Sequence, residues 1–96
     1  QMSKDASKAE KQKLFQSDMV LIDSCQIMLA VLLYNDPGTL IEIGVAAERG
    51  MPVLVYDPFS IADNCMLTEI PKVVSASADK IISELFKYAS KIWKQN

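Results

Sequence analysis

A chain of 96 residues is long enough for one domain with a single core and too short for two. Half of its residues are hydrophobic and 23% are charged, with a formal net charge of −2, which excludes a broad polyanion-binding surface and makes nucleic acid an unexpected partner. The longest apolar run, Ile27 to Tyr34, is far too short to cross a bilayer, and the polar start of the chain has no signal-peptide pattern, so a soluble cytoplasmic protein is expected.

From Ser3 to about Ser24 the residues favour helix, and Phe15, Met19 and Ile22 fall at the i, i+4, i+7 spacing of one buried stripe. Residues 1–13 lack that stripe and are expected to form an exposed or mobile helical extension. Lys4, Lys8, Lys11 and Lys13, set against Asp5 and Glu10, make a solvated helix face there. Gln26 to Leu33 is a nearly continuous apolar run of the kind found in a strand covered on both faces, as in a parallel sheet. Asn35-Asp36-Pro37-Gly38 breaks it with turn residues, and a helix is predicted from about Thr39 to Arg49, ended by Gly50 with Pro52 close behind.

Pro52 to Tyr56 predicts a second buried strand, closed by Asp57-Pro58, and Phe59 to Pro71 is expected to be irregular. Lys72 to Ala76 suits a short third strand. Ser77 is a good N-cap for a last helix, which carries Ile81, Ile82, Leu85, Phe86, Ala89, Ile92 and Trp93 on one face. Trp93 belongs to the core or an interface on this pattern. The alternation predicts an α/β fold, a three-layer Rossmann- or flavodoxin-like parallel sheet truncated to about three strands, with all 96 residues in one domain.

Cys25 and Cys65 lie far apart in apolar surroundings and no histidine is present, so they read as free, partly buried thiols rather than metal ligands, and no cofactor is expected. The scattered methionines, Met2 among them, serve as core filler.

In an open parallel sheet the ligand sits beyond the carboxyl ends of the strands, where the Asn35–Gly38 loop lies. Gly38 permits close approach of a ligand and Pro37 stiffens the turn. Glu42 is expected in the first turn of the following helix, where the helix dipole favours its ionised form. An ionised carboxylate at a site rim can attack an electrophilic sugar carbon, and Asp36, six residues earlier, can share the pocket. The same residues also fit a plain reading, in which Glu42 answers the helix dipole and Asp36-Pro37-Gly38 is only a turn. Thr39 either caps the helix or hydrogen-bonds a ligand. Tyr34 and Tyr56 either flank a base or cover the sheet edge.

These segments resemble the nucleoside 2-deoxyribosyltransferase family. The resemblance runs through Asp18 to Ile22, the strand Ile27 to Leu33, Asp36-Pro37-Gly38-Thr39, Glu42-Ile43-Gly44-Val45-Ala46, Gly50, and Pro52-Val53-Leu54-Val55-Tyr56, over roughly residues 14–57. The Gly-Thr-x-x-Glu core is also similar to the cytokinin-activating phosphoribohydrolases, which have more glycines before it. The deoxyribosyltransferase resemblance implies that Glu42 is the nucleophile that attacks C1′ of the sugar and that Asp36 helps to hold sugar and nucleophile. It implies cleavage of the N-glycosidic bond of a nucleoside or nucleotide, with transfer of the sugar to another base or to water. Gly38, Thr39 and Gln26 would contact substrate, and Asn64 matches a family Asn that reaches into a neighbouring subunit's site.

Two departures qualify what is implied. Gln26 stands where the family usually has an Asp that acts on the leaving base, and glutamine cannot donate a proton as an acid does. The family's first strand and its glycine-containing loop have no counterpart in these residues, so the chain reads as a trimmed part of a longer protein or as a minimal relative that borrows from a partner. An exposed strand edge then predicts a homo-oligomer. The alternative to an enzyme is a catalytically impaired nucleoside- or nucleotide-binding or assembly domain of the same fold.

Overall fold

The computed structural model of the chain describes residues 7–34 and 36–95. Met2, Lys4, Asp5, the helix start at Ser3 and Asn35 lie outside them. The elements are α1 (Lys8–Ser24), β1 (Met28–Val31), α2 (Pro37–Glu48), β2 (Val53–Tyr56), α3 (Cys65–Glu69), β3 (Val73–Ser75) and α4 (Ala78–Gln95). The three strands form one parallel sheet in the order β1-β2-β3, as the alternation of apolar runs and helices predicts. Leu29 pairs with Leu54, and Leu54 with Val73, which puts the three on one face of the sheet.

Each helix begins for a local reason. Ser7 caps α1 through a reciprocal capping box, its hydroxyl accepting from the Glu10 amide while the Glu10 carboxylate accepts from the Ser7 amide. Asp36 caps α2, with Pro37 at the first helical position, where its missing N–H costs nothing. Arg49 and Gly50 end α2, Gly50 at φ +76, a left-handed turn that only glycine adopts without strain.

One face of the sheet (Ala30 and Leu32 from β1 and its extension, Val53 and Val55 from β2) is buried against Ile43 and Ala46 of α2 and Ile22 of α1. On the other face α4 lies over β2 and β3 and buries Leu54 and Ile81. It does not reach far enough to cover β1. Leu29, Val31 and Leu33 are therefore 47%, 46% and 57% exposed, so the expectation of a first strand covered on both faces is corrected. The run is apolar on both sides, but the described residues supply a helix for only one of them.

Other expectations change in the same way. Phe15 is 63% exposed although Ile22, on the same helix face, is buried. The α1 stripe sinks into the core only at its C-terminal end, where α1 meets α2. On α4, Ile81 is buried while Ile82, Phe86 and Trp93 are exposed, Trp93 at 84%. Both cysteines are free, but each is exposed, because Cys25 follows the end of α1 and Cys65 opens α3. The segment expected to be irregular contains α3, which Asn64 caps and which buries Leu67. No helix among the described residues is long and apolar enough to cross a membrane.

Candidate active site

The loop after β1 folds around the Asp36 carboxylate. Its Oδ1 accepts the Gly38 amide at 3.1 Å and its Oδ2 accepts the Thr39 hydroxyl at 3.0 Å. Asp36 is thus the helix cap, not Thr39, whose hydroxyl instead braces the capping carboxylate. The helix starts two residues earlier than the sequence suggests, since proline is pre-set for that position. Glu42 consequently lies in the second turn of α2 rather than the first.

A cavity of about 610 Å³ opens between α1 and the start of α2. Asp36, Gly38, Thr39 and Glu42 line it from α2 and its cap, and Lys11, Phe15 and Asp18 line it from α1. Its size falls in the range of small-ligand sites. Three carboxylates share it with one lysine. The Glu42 carboxyl is held above the ordinary carboxylate range, first by partial desolvation and then by the negative charges of Asp18 and Asp36. The expectation that the helix dipole favours ionised Glu42 is therefore reversed. The dipole's effect is confined to the first turn, which Asp36 and Pro37 open and Glu42 lies beyond.

Asp18, which enters the sequence analysis only as the start of the resemblance, also lines this cavity. The signal was a lone charge set inside the Phe15–Met19–Ile22 stripe, and an acid on the inward face of a helix calls for a reason. Gln26 and Asn64 do not join the cavity. Gln26 lies near the opposite end of the sheet, before β1, and lines a separate hollow with Arg49, Met51 and Tyr88. Its amide donates weakly to the Ser24 carbonyl at 3.4 Å. Asn64 accepts the Met66 amide as the cap of α3 and lines a third hollow against Leu40, Ile43 and Gly44. Tyr34, 59% exposed, and Tyr56 lie outside the carboxylate cavity as well.

An open parallel α/β layer with a cavity of carboxylates at the start of the helix that follows a strand is the architecture of a small-ligand domain. Comparison with known families narrows the class. The model of the nucleoside 2-deoxyribosyltransferase family matches residues 1–82, and the chain belongs to that family. Compared with curated proteins and with solved structures, the chain shows no match.

Proposed function

We propose that the chain cleaves the N-glycosidic bond of a nucleoside or deoxynucleoside in the Glu42 cavity and passes the sugar to another base or to water. The reading is carried by one observation: in a member of this family, Glu42 shares a ligand-sized cavity with two further carboxylates. In this mechanism a Glu42 oxygen bonds to C1′ while the C1′–N bond breaks, and the base leaves with the bonding electrons and takes up a proton. That proton comes from water, and Asp18, which faces the same cavity from α1, adds its charge to the cluster, while Gln26 can neither act as an acid nor reach the cavity. A nitrogen of the incoming base, or a water, then attacks C1′ and releases the Glu42 carboxylate. Asp36 positions the sugar, its own orientation fixed by Gly38 and Thr39.

The decisive experiment incubates the protein with a panel of deoxynucleosides and a free acceptor base and follows base exchange by chromatography. Exchange that Glu42→Ala abolishes is the expected result. Thermal stabilisation by nucleosides without turnover overturns the catalytic reading in favour of a binding domain of the same fold. With both cysteines free, the protein suits a reducing compartment such as the cytoplasm.

A further inference from the structure

At the end of the sheet opposite the Glu42 cavity, the hollow of about 480 Å³ in front of β1 has the reverse charge. It lies between the last residues of α1, the end of α2 and the C-terminal half of α4, and Arg49 and Lys91 line it against one carboxylate, Asp23. The Glu42 cavity sets three carboxylates against one lysine. The chain as a whole carries −2, so the excess of positive charge in this hollow is local.

Each cation has a neighbour that orients it. Arg49, the C-cap of α2, pairs through Nε with Oδ1 of Asp23 in the last turn of α1. Among the described residues no hydrogen bond occupies its two terminal nitrogens. The Lys91 ammonium stands 5.1 Å from the centroid of the Tyr88 ring and has no carboxylate partner among the described residues. Part of the lining is apolar and well covered, with Ile22 5% and Met51 9% exposed. Cations beside the carbonyl ends of α1 and α2 also answer the helix dipoles. That role calls for charge alone, whereas here two sets of donors meet an apolar wall in a hollow of ligand size.

We propose that this hollow is a second ligand site, which takes the phosphoryl group of a small phosphate-bearing molecule on Arg49 and Lys91. A guanidinium and an ammonium brought to one hollow from the ends of two helices suit a phosphate, which offers three terminal oxygens, better than a carboxylate, which Arg49 alone can satisfy. A phosphate also carries enough negative charge to draw Arg49 away from Asp23. Asp23 is then a competitor for the guanidinium rather than a ligand, because it occupies Arg49 until the anion arrives and repels the anion as it does. This inference is independent of the reading of Glu42.

Isothermal titration calorimetry on the full chain at fixed ionic strength, with inorganic phosphate and phenyl phosphate as probes, tests the proposal. Calorimetry is preferred to a thermal shift because phosphate stabilises folded proteins in general by exclusion from their surface. Both probes are expected to bind at one site per chain. Tighter binding of phenyl phosphate assigns the apolar wall to an organic body, equal affinities assign the site to the free ion, and either supports a phosphoryl site. Lys91→Met, which breaks no ion pair among the described residues, should weaken binding at least about fivefold, and Arg49→Met at least about tenfold with unchanged helical circular dichroism. Asp23→Asn should tighten it about three- to tenfold, since the competitor loses its charge. That sign separates a ligand site from a structural ion pair, whose loss would loosen the hollow and weaken any binding in it. Glu42→Ala should leave the affinity unchanged, and a loss there puts the probe in the other cavity and overturns the proposal. No saturable binding of either probe up to about 20 mM, by calorimetry and by phosphorus NMR, overturns it too. So does binding that Lys91→Met leaves unchanged or that Asp23→Asn weakens.

Discussion

Asp57 ends β2 with its side chain almost wholly buried, at 4% exposure, and it organises the connection that leads to α3. Its Oδ1 accepts the Ile61 amide at 2.9 Å and its Oδ2 accepts the Ala62 amide at 2.8 Å. The intervening Ser60 takes φ 53, a left-handed value that this pair of bonds helps to hold. Asp57→Ala removes both acceptors and strands two backbone donors. Each stranded donor costs about 1–3 kcal/mol, and because Ile61 and Ala62 are only half-buried the total should sit at about 2–4 kcal/mol. A domain of this length has about 5–14 kcal/mol to lose, so the variant should fold with a Tm lowered by about 10–30 °C. Asp57→Asn keeps one acceptor oxygen and should lose about half as much. Urea unfolding at 25 °C followed by circular dichroism measures both, with the midpoint moving while its slope stays fixed. If Asp57→Ala loses less than about 1 kcal/mol, the loop does not hang on this carboxylate and the reasoning fails.

The remaining predictions concern α2. Glu42 is held above the ordinary carboxylate range, so on the proposed mechanism the acidic limb of kcat/KM for base exchange should lie above that range, and Asp18→Asn should move it down; a limb at the ordinary value refutes the coupling. Because the folded-state value is raised, the protonated form is the one the fold favours, and its stabilising contribution is present at low pH and lost as pH rises through the raised value. Glu42→Gln should therefore raise Tm by a few degrees at most at pH 7 and by less at pH 4, and a reversed order contradicts the sign. Asp36→Ala removes the α2 cap and should cost about 1 kcal/mol, or about 4–8 °C in Tm. Asp36→Ser restores a cap, so it should recover the Tm without recovering exchange, and parallel recovery of both would reduce Asp36 to a cap alone. Gly50→Ala forces a Cβ into a left-handed turn and should lower stability by about 1 kcal/mol in thermal unfolding.

The strands and the end of α2 were legible because their signals are local. A run of β-branched and aliphatic residues between turn residues, and Gly50 with Pro52 close behind, need no tertiary context to be read. The start of α2 was misplaced by two residues because Asp36-Pro37-Gly38 serves equally as a turn and as cap plus first turn. The choice is made by the Thr39 hydroxyl, which turns back to Asp36. The five-residue α3 has no room for a period, and its one buried side chain, Leu67, is indistinguishable by spacing from a loop anchor. Burial was least legible. A continuous apolar run says that both faces of β1 can be covered, not that the described residues hold a helix for each, and the exposed Leu29, Val31 and Leu33 follow from α4 stopping short over β2 and β3. Asp18 enters the sequence reading only as the start of the family resemblance and without a role, because a pattern scored on hydrophobic positions treats a charge inside the stripe as noise.

The three carboxylates oppose one another in the free protein, and this bears on the proposed chemistry. Asp18 and Asp36 raise the proton affinity of Glu42, whose charged form is also disfavoured by partial desolvation. Among the described residues the one lysine on the cavity, Lys11, comes from the largely exposed first half of α1. Cleavage of an N-glycosidic bond builds positive charge on the sugar ring in the transition state, where clustered negative charge is stabilising. On the proposed mechanism, repulsion held in the empty cavity is relieved as that charge develops, so the cluster binds the transition state better than the neutral substrate. The same proton affinity makes Glu42, once ionised, a stronger nucleophile than a well-solvated carboxylate. Asp36, with its oxygens tied to Gly38 and Thr39, cannot swing away to ease the repulsion. A cap that fixes one carboxylate beside another serves the fold and the chemistry with a single side chain, and this is why separating the two roles with Asp36→Ser is informative.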